Sequence, residues 1–319
     1  MKIVVLDGYS TNPGDLSWDA YSRHGEFVCH DFTPPELVAR HIGDAEIVIA
    51  NDTPLDAAAI AAAPRLRYIG LLATGFDAID IAAARSRGIP VTNVPAYGTM
   101  AVAQHALALL LEICNRVGHY AHAVRRGRWT NEKGDCYWDC RMTELSGKTM
   151  GVVGFGRIGR AFARVAVALG MDVLANRSDM ARPPEDAGVA YAPLDELYAR
   201  SDVVSLHAPL LESTRGMIDA AAIAKMRDGV ILINTARGAL VREDDLVRAL
   251  HDGKIAAYGA DVALVEPVPP GSPLLSAPNC LITPHNAWAP LETRRRLLAA
   301  AADNLAAYLD GVPVNVVNP

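Results

Sequence analysis

The chain has no stretch close to the roughly 20 consecutive apolar residues that would cross a bilayer. Its first apolar run, residues 3–6, meets Asp7 at once. That run is too short for a signal peptide and is typical of a first β-strand. We therefore expect a cytoplasmic protein without a membrane partner.

Cysteine is scarce, with five residues in a chain of 319. An odd and mostly scattered set is typical of reduced thiols in a cytosol. Cys136 and Cys140 lie close together, but no second Cys or His pair follows at a usual metal-site spacing. We expect packing thiols and no metal. A zinc site or a disulfide at this pair is the less favoured alternative.

Basic charge is not in excess either, since 30 Lys and Arg face 36 Asp and Glu, for a net charge of −6. This balance argues against a nucleic-acid-binding surface but allows a local basic pocket for phosphates. Apolar residues make up 51% and charged residues 21%, as in ordinary globular proteins. The length suits two domains rather than one.

Strand and helix patterns alternate over the first hundred residues, which predicts a parallel sheet covered on both faces. The predicted strands are residues 3–6, 27–29, 45–50, 66–72 and 89–94, with helices at 55–63 and 78–87.

A second alternation begins at Lys148 and predicts six strands, the number in a full dinucleotide-binding sheet. These strands are residues 149–153, 172–175, 203–206, 230–233, 257–260 and 280–283, and a last helix covers 291–309. Before Lys148, residues 100–127 form one helical pattern that is apolar nearly all round, which indicates burial between domains or subunits. Residues 129–144 are predicted to be a loop.

A Gly-x-Gly-x-x-Gly fingerprint lies between a β-branched strand and a helix that starts near Ile158. It comprises Gly154, Gly156 and Gly159, with Arg157 and Ile158 between the last two. The first glycine allows a tight turn, the second lets the backbone approach a pyrophosphate, and the third lets helix and strand pack closely. The helix N-terminus attracts phosphates. The fingerprint predicts dinucleotide binding, and the alternative is an ordinary tight turn.

The end of the following strand bears on which dinucleotide binds. NAD enzymes usually carry an acid there for the ribose hydroxyls, but this chain has Asn176, Arg177 and Ser178, with Asp179 only after them. An arginine and a serine can hold a 2′-phosphate, which an acid would repel. The sequence therefore favours NADP(H) over NAD(H). The alternative is a solvated Arg177 beside NAD, with Asp179 or the backbone meeting the ribose.

Three polar residues, Arg237, Glu266 and His285, follow strands of the second alternation. Ligands bind outside the carboxyl ends of such strands, so all three can face one cleft. A histidine held by a carboxylate can give a proton near neutral pH. An arginine can bind a carboxylate and polarise a keto oxygen. Spacing alone also allows a phosphate contact, a surface acid and a loop histidine.

Several further motifs occur in order along the chain, and with them the chain resembles the D-isomer-specific 2-hydroxyacid dehydrogenases, in particular the glycerate dehydrogenase/hydroxypyruvate reductase group. The motifs are residues 91–97, 102–105, the glycine fingerprint, 206–209, 234–238, 261–262 with 266–267, and 283–288. The resemblance runs nearly end to end.

The resemblance implies an α/β fold of two doubly wound parallel-sheet domains, in which a Rossmann cofactor domain is inserted into a flavodoxin-like substrate domain. Residues 1–99 with 289–319 would form the substrate domain and 100–288 the cofactor domain, with the active site in the cleft between them. It also implies a homodimer built partly on the helix after Met100.

The resemblance assigns roles to particular residues. His285 would donate or accept the proton, paired with Glu266, while Arg237 binds and polarises the substrate. Ala73, Thr74 and Gly75 would bind the substrate carboxylate through backbone N–H groups. Asp261 would meet the nicotinamide amide. Cofactor contacts are implied for Val102, Ala103, His207, Ala208, Pro209, Thr214, Thr235, Ala236 and Ala287. We expect His105 and His119 to be packing or interface residues.

The expected reaction is reversible reduction of a small 2-keto acid, such as hydroxypyruvate or glyoxylate, to the D-2-hydroxy acid. The chain departs from the family pattern at Arg177 and at Gln104, where many relatives have glutamate. Tyr9, Asn12 and the loop 136–138 could shape substrate choice. Alternatives are a formate-, phosphite- or phosphoglycerate-type dehydrogenase of the same fold, or a nucleotide-sensing, corepressor-like protein. Glu266 argues against the formate type, whose histidine lacks a glutamate partner.

Overall fold

Two parallel sheets, one in each of two units, organise the chain in a computed structural model. The structure describes residues 1–131, 134–179 and 186–319. The first unit comprises residues 1–98 and 288–319, and the second comprises residues 99–287. The elements below are numbered in chain order through both units.

The first unit is built on short apolar strands whose side chains are largely buried on both faces, as expected for a covered parallel sheet. They are β1 (Lys2–Val5), β2 (Glu26–Cys29), β3 (Ile47–Ala50), β4 (Tyr68–Leu71) and β5 (Val91–Thr92). Their order is β2-β1-β3-β4-β5, the flavodoxin-like doubly wound order.

Six helices cover this sheet: α1 (Gly8–Thr11), α2 (Asp19–Ser22), α3 (Val38–Ile42), α4 (Ala57–Ala61), α5 (Ile81–Ser86) and α13 (Leu291–Leu309). The bounds of α13 are those predicted from its pattern. Leu297, Leu298 and Leu305 of α13 pack in one buried cluster with Ile3 and Val5 of β1. The last helix of the chain is therefore part of the core that the first strand begins.

Among the described residues of the second unit, seven strands run parallel: β6 (Thr149–Val153), β7 (Asp172–Asn176), β8 (Val189–Tyr191), β9 (Val203–Leu206), β10 (Val230–Asn234), β11 (Ile255–Ala260) and β12 (Cys280–Ile282). Their order is β12-β11-β10-β9-β6-β7-β8, the classical Rossmann order with one strand added beside β11. The predicted fold class is confirmed. The predicted count of six strands is wrong, because it missed β8, a three-residue strand at the sheet edge.

The helices of this unit are α6 (Thr99–Asn115), α7 (Val117–Arg125), α8 (Arg128–Asn131), α9 (Arg157–Ala168), α10 (Leu194–Arg200), α11 (Ala220–Lys225) and α12 (Glu243–His251). The prediction of one helix over 100–127 is wrong. Arg116 adopts a left-handed backbone with φ of 53° and separates α6 from α7. The prediction of a loop over residues 129–144 is also wrong in part, because these residues include the end of the short helix α8.

Within the described residues, no helix combines the length and the apolar character needed to span a membrane. All five cysteines are free thiols, so Cys136 and Cys140 do not form a disulfide in this structure.

Candidate active site

The glycine fingerprint forms the turn between β6 and α9, and steric contacts require glycine at two of its three positions. Gly154 has φ of 93°, and a Cβ there would lie 2.4 Å from the backbone nitrogen of Ala208. A Cβ at Gly159 would lie 2.3 Å from the carbonyl oxygen of Gly154. At Gly156 a Cβ would meet no described atom within 4 Å. Close packing at two glycines and open space at the middle one leave room for a phosphate group.

The helix behind this turn presents unbonded donors to that space. Gly156 is the N-cap of α9 and supplies no side-chain hydrogen bond to the first turn, which begins at Arg157 and Ile158. The first N–H groups of a helix lack intrahelical partners and carry its positive dipole end. The turn therefore fits the pyrophosphate of a dinucleotide.

The end of β7 lies against the same turn. The carbonyl oxygen of Asn176 accepts hydrogen bonds from the N–H groups of Gly154, at 2.9 Å, and Phe155, at 3.2 Å. The Asn176 side chain donates to the Ala192 carbonyl oxygen at 2.9 Å and so holds the strand end in place. Arg177, which is half-buried, and Ser178, which is exposed, follow directly. No acid stands at these positions.

A buried hydroxyl also fits a bound cofactor. Thr235 Oγ1 is buried and has no hydrogen-bond partner among the described residues. Buried polar atoms are normally paired, so an orphan in this loop is consistent with a ligand contact. Thr214, by contrast, uses its hydroxyl in its own loop, where it donates to the Pro209 carbonyl oxygen at 2.7 Å. Together with the glycine turn, the unpaired Thr235 hydroxyl fits a bound dinucleotide.

His285 and Glu266 are brought together although 19 residues separate them in the chain. His285 Nδ1 lies 2.7 Å from Glu266 Oε2, and the two side chains are 34% and 37% exposed. The other carboxylate oxygen, Oε1, accepts the N–H of Ala263 at 2.9 Å. The carboxylate is thus anchored to its own loop and orients the imidazole through Nδ1.

Electrostatics favour an ionised Glu266. Partial burial raises the pKa of its carboxyl, but the hydrogen bond with His285, the Ala263 N–H and the charge of Arg237 together hold the pKa below its ordinary value of 4.5. Glu266 is therefore a carboxylate throughout the neutral range. It can stabilise a protonated His285.

Arg237 lies on the loop after β10, and that loop rests on the loop that carries Glu266. A Cβ at Gly238 would lie 2.0 Å from the carbonyl carbon of Ala263, so only glycine permits this approach. The Asn234 side chain donates to the Arg237 carbonyl oxygen at 2.9 Å. These contacts bring the three predicted catalytic residues to one edge of the second unit's sheet, beyond the carboxyl ends of β10, β11 and β12.

Asp261 has a role that the sequence did not reveal. It is 1% exposed. Its Oδ1 accepts from Thr283 Oγ1 at 2.6 Å and from the Asn286 N–H at 3.0 Å, and its Oδ2 accepts from the Ala287 N–H at 2.8 Å. These donors stand on both sides of His285, whose φ is 52°. Asp261 thus holds the strained loop that presents His285, and its predicted contact with the nicotinamide amide stays a prediction.

The two helix histidines differ from each other. His105 was expected to be a packing or interface residue, but its Nε2 lies 2.8 Å from Thr283 Oγ1, within the loop before His285. His119 is half exposed and its Nε2 lies 3.0 Å from Asp139 Oδ1. Sequence offered no signal for the first contact, since 178 residues separate its partners.

His207, which follows β9, does not compete with His285 for the acid–base role. Burial lowers its pKa to about 4, so the ring is neutral at neutral pH. Its Nε2 lies 2.9 Å from Ser205 Oγ. The ring lies beside Ala208, which contacts the glycine turn, as expected for a neighbour of the cofactor.

The predicted substrate-binding residues lie in the first unit, on the loop after β4. Thr74 Oγ1 donates to the Val94 carbonyl oxygen at 2.8 Å, and the Asn93 side chain donates to the Thr74 carbonyl oxygen at 2.7 Å. Both bonds hold the loop that contains Ala73 and Gly75. Its role toward substrate stays a prediction.

Two other residues named for substrate choice differ in exposure. Tyr9 is 62% exposed, whereas Asn12 is buried. The Asn12 side chain is bonded within its own loop, to Gly14 and Leu16. Its observed role is therefore structural.

Comparison with known proteins points to one family. The family model described as "D-isomer specific 2-hydroxyacid dehydrogenase, NAD binding domain" matches residues 107–287. A hydroxypyruvate reductase of Blautia hydrogenotrophica is 49% identical over 321 residues, covering 100% of both chains. A glycerate dehydrogenase of Methylorubrum extorquens is 39% identical over 318 residues, covering 99% of this chain and 98% of the relative.

Among solved structures, an acyclic imino acid reductase (Bsp5) in complex with NADPH and D-Arg superposes with a TM-score of 0.86. It is 28% identical in sequence, and the match covers 99% of this chain and 100% of that one.

Proposed function

Since the chain belongs to the D-isomer-specific 2-hydroxyacid dehydrogenase family, and is an oxidoreductase that reduces small 2-keto acids with a nicotinamide cofactor, we propose that it reduces hydroxypyruvate or glyoxylate with NADPH and that His285 is the proton donor. The contact of 2.7 Å between His285 Nδ1 and Glu266 Oε2 carries this assignment. An imidazole fixed at one nitrogen by a carboxylate presents its other nitrogen in a defined direction.

The chemistry needs a hydride at the keto carbon and a proton at the keto oxygen. The nicotinamide supplies the hydride when it is bound. Protonated His285 gives its Nε2 proton to the oxygen as the new hydroxyl forms, and the neutral ring is reprotonated from solvent. Glu266 stabilises the charged ring before transfer. In the reverse direction His285 accepts the same proton.

Arg237 is proposed to bind the substrate carboxylate and polarise the keto oxygen. A guanidinium stabilises negative charge that develops on that oxygen, and it is always protonated. Ala73, Thr74 and Gly75 are proposed to bind the carboxylate through backbone N–H groups. We assign the substrate role to the first unit and the cofactor role to the second.

The proposed preference for NADPH rests on Arg177 and Ser178 at the end of β7, beside the glycine turn. A test compares NADPH with NADH in the wild type and in Arg177→Ala. Loss of a charge-assisted bond to a 2′-phosphate should lower kcat/KM with NADPH by about 10- to 100-fold, with little change for NADH. Arg164→Ala is the control, since the Arg164 side chain lies on the surface of α9, where it pairs with Asp186 from outside the helix. A wild-type preference for NADH of about tenfold or more would refute the proposal.

The substrate class is tested with a panel of 2-keto acids under both cofactors, followed by chiral analysis of the product. Reduction of hydroxypyruvate or glyoxylate above other keto acids is expected, with the D-hydroxy acid formed from hydroxypyruvate. Quenching of cofactor fluorescence without turnover of any keto acid would instead favour a nucleotide-sensing protein.

We also propose a homodimer that acts in the cytoplasm. Met100, Val117 and Val124 on α6 and α7 are exposed apolar side chains, as expected for a surface covered by a second copy. The free, scattered cysteines suit a reducing compartment. Sedimentation at micromolar concentration tests the dimer, and a monomer would contradict it.

A further inference from the structure

A chain of hydrogen bonds connects helix α6 to the loop that carries His285. It starts at His105 Nε2, which lies 2.8 Å from Thr283 Oγ1. Thr283 Oγ1 in turn lies 2.6 Å from Asp261 Oδ1. Asp261 then accepts the N–H groups of Asn286 and Ala287, on the far side of His285.

The direction of each hydrogen in this chain follows from the chemistry of the groups. The Thr283 hydroxyl has two acceptors within reach, Asp261 Oδ1 at 2.6 Å and the Ala260 carbonyl oxygen at 3.3 Å, and its single proton points to the much closer carboxylate oxygen. The hydroxyl oxygen is then left with lone pairs only, and His105 must donate its Nε2 proton to it. His105 Nε2 also lies 3.5 Å from Asp261 Oδ1, so this N–H faces the carboxylate as well as the hydroxyl.

The packing of α6 explains why His105 reaches this loop. A Cβ at Gly259 of β11 would lie 3.3 Å from Leu109 Cβ and 2.9 Å from Ile113 Cδ1, so α6 packs directly on that strand. His105 precedes Leu109 by four residues and shares its helix face. One turn back along α6 therefore places the imidazole at the end of β11, where Asp261 follows.

The segment that this chain holds has an unfavourable backbone. His285 has φ of 52°, a left-handed conformation that costs an ordinary residue energy and persists only where its surroundings impose it. Thr283 on one side and residues 286–287 on the other are both bonded to Asp261. The hydrogen bond from His105 on α6 also fixes Thr283. We call these bonds, which join His105, Thr283, Asp261 and residues 286–287, the clamp around His285.

We propose that His105 is a positioning residue for the reaction, donating its Nε2 proton to Thr283 and so fixing the loop from which His285 delivers its proton. His105 acts through Thr283 and Asp261 and does not itself transfer the proton. The inference rests on the proposed function of His285, and it assigns part of the catalytic rate to a side chain on the helix that begins the second unit.

The test compares two substitutions at His105. His105→Phe keeps a ring but removes the donor, and His105→Gln supplies an amide N–H near the position of Nε2. We expect His105→Phe to lower kcat for hydroxypyruvate reduction by about 10- to 100-fold, because a loop displaced by about 1 Å suffices for such a loss. The Kd for NADPH, measured by fluorescence, should stay within about twofold, and His105→Gln should recover most of kcat.

A second pair tests the next link of the chain. Thr283→Val should lose kcat as His105→Phe does, while Thr283→Ser, which keeps the hydroxyl, should stay near the wild type. The double variant His105→Phe/Thr283→Val should be no slower than the slower single variant, because residues in one network do not act additively. The pH at which kcat declines should not move in these variants, since the pair of His285 and Glu266 is intact.

His119→Phe is the control, because it removes the half-exposed histidine of α7 that bonds to Asp139. It should leave kcat unchanged. Wild-type kcat in His105→Phe, or equal loss in His105→Phe and His105→Gln with NADPH binding retained, would overturn the proposal. If either His105 variant fails to fold, the comparison of Thr283→Val with Thr283→Ser decides it. Absence of turnover in the wild type would instead refute the proposed function.

Discussion

At the scale of single residues, the pairing of His285 with Glu266 keeps an ionised carboxylate beside the imidazole. The pKa of Glu266 is held below its ordinary 4.5, so the carboxylate stays charged as the pH falls through that value. The contribution of this pairing to the free energy of unfolding is fully present above the ordinary pKa of Glu266. This contribution is lost only as the pH falls through the lowered pKa of Glu266 in the folded protein.

Glu266→Gln tests this pairing. The amide can still hold the ring but carries no charge, so it no longer favours protonated imidazole. We expect keto acid reduction to decline at a lower pH than in the wild type, while the reverse oxidation extends to lower pH. The measurement is kcat/KM in both directions against pH. Superimposable profiles for variant and wild type would contradict the account.

Sequence reasoning identified Arg237, Glu266 and His285 as candidates because each follows an apolar strand. It could not identify the clamp around His285. Asp261 and Thr283 belong to recognised motifs, but their mutual hydrogen bond and the contact with His105 depend on how α6 packs on β11. Contacts between residues so far apart in sequence leave no local pattern.

At the scale of elements, the turn between β6 and α9 was predictable to within a residue, because only glycine fits the conformation and contacts at Gly154 and the contacts at Gly159. The strand β8 was not. It has three residues, Val189–Tyr191, at the sheet edge, and none of them is fully buried. So short and exposed a segment has too little apolar alternation to stand out from a loop.

The break between α6 and α7 was also hidden. No Gly or Pro stands at Arg116, and apolar residues continue past it. The left-handed backbone there is accompanied by tertiary and side-chain bonds: Arg116 donates to Asn279 Oδ1 at 2.8 Å, and Glu112 accepts the N–H of Gly118. Such bonds override helix propensity without a sequence signature.

The glycine turn offers a matched pair of substitutions. Gly156→Ala adds a methyl group to open space, so the fold should be retained while the methyl occupies the place proposed for the pyrophosphate. We expect the Kd for NADPH to rise by about tenfold or more, with Tm nearly unchanged. Gly154→Ala should instead lower Tm, because of its φ of 93° and its clash with Ala208. Unchanged NADPH affinity in Gly156→Ala would contradict the placement of the cofactor.

At the scale of the whole molecule, the last helix belongs to the same core as the first strand, although almost the entire chain lies between them. Leu305 of α13 is 0% exposed in the first unit, and Leu246 of α12 is 0% exposed in the second. Each can be truncated to leave a cavity in one core only.

Leu305→Ala and Leu246→Ala should each cost roughly 2–5 kcal/mol, the usual range for a buried leucine. Amide hydrogen exchange should accelerate in β1, β3 and β4 for Leu305→Ala, and in β9, β10 and β11 for Leu246→Ala. NADPH affinity should fall more in the second variant. Equal acceleration in both sheets for either substitution would contradict the assignment of α13 to the first core.

The central claim is that His285 supplies the proton and does not merely shape the site. Single-turnover reduction of hydroxypyruvate by NADPH, in the wild type and in His285→Gln, tests it most directly. We predict a rate lower by about 10²- to 10⁴-fold, the usual contribution of a general acid, with the Kd for NADPH within about threefold of the wild type. A rate within about threefold of the wild type would contradict the account.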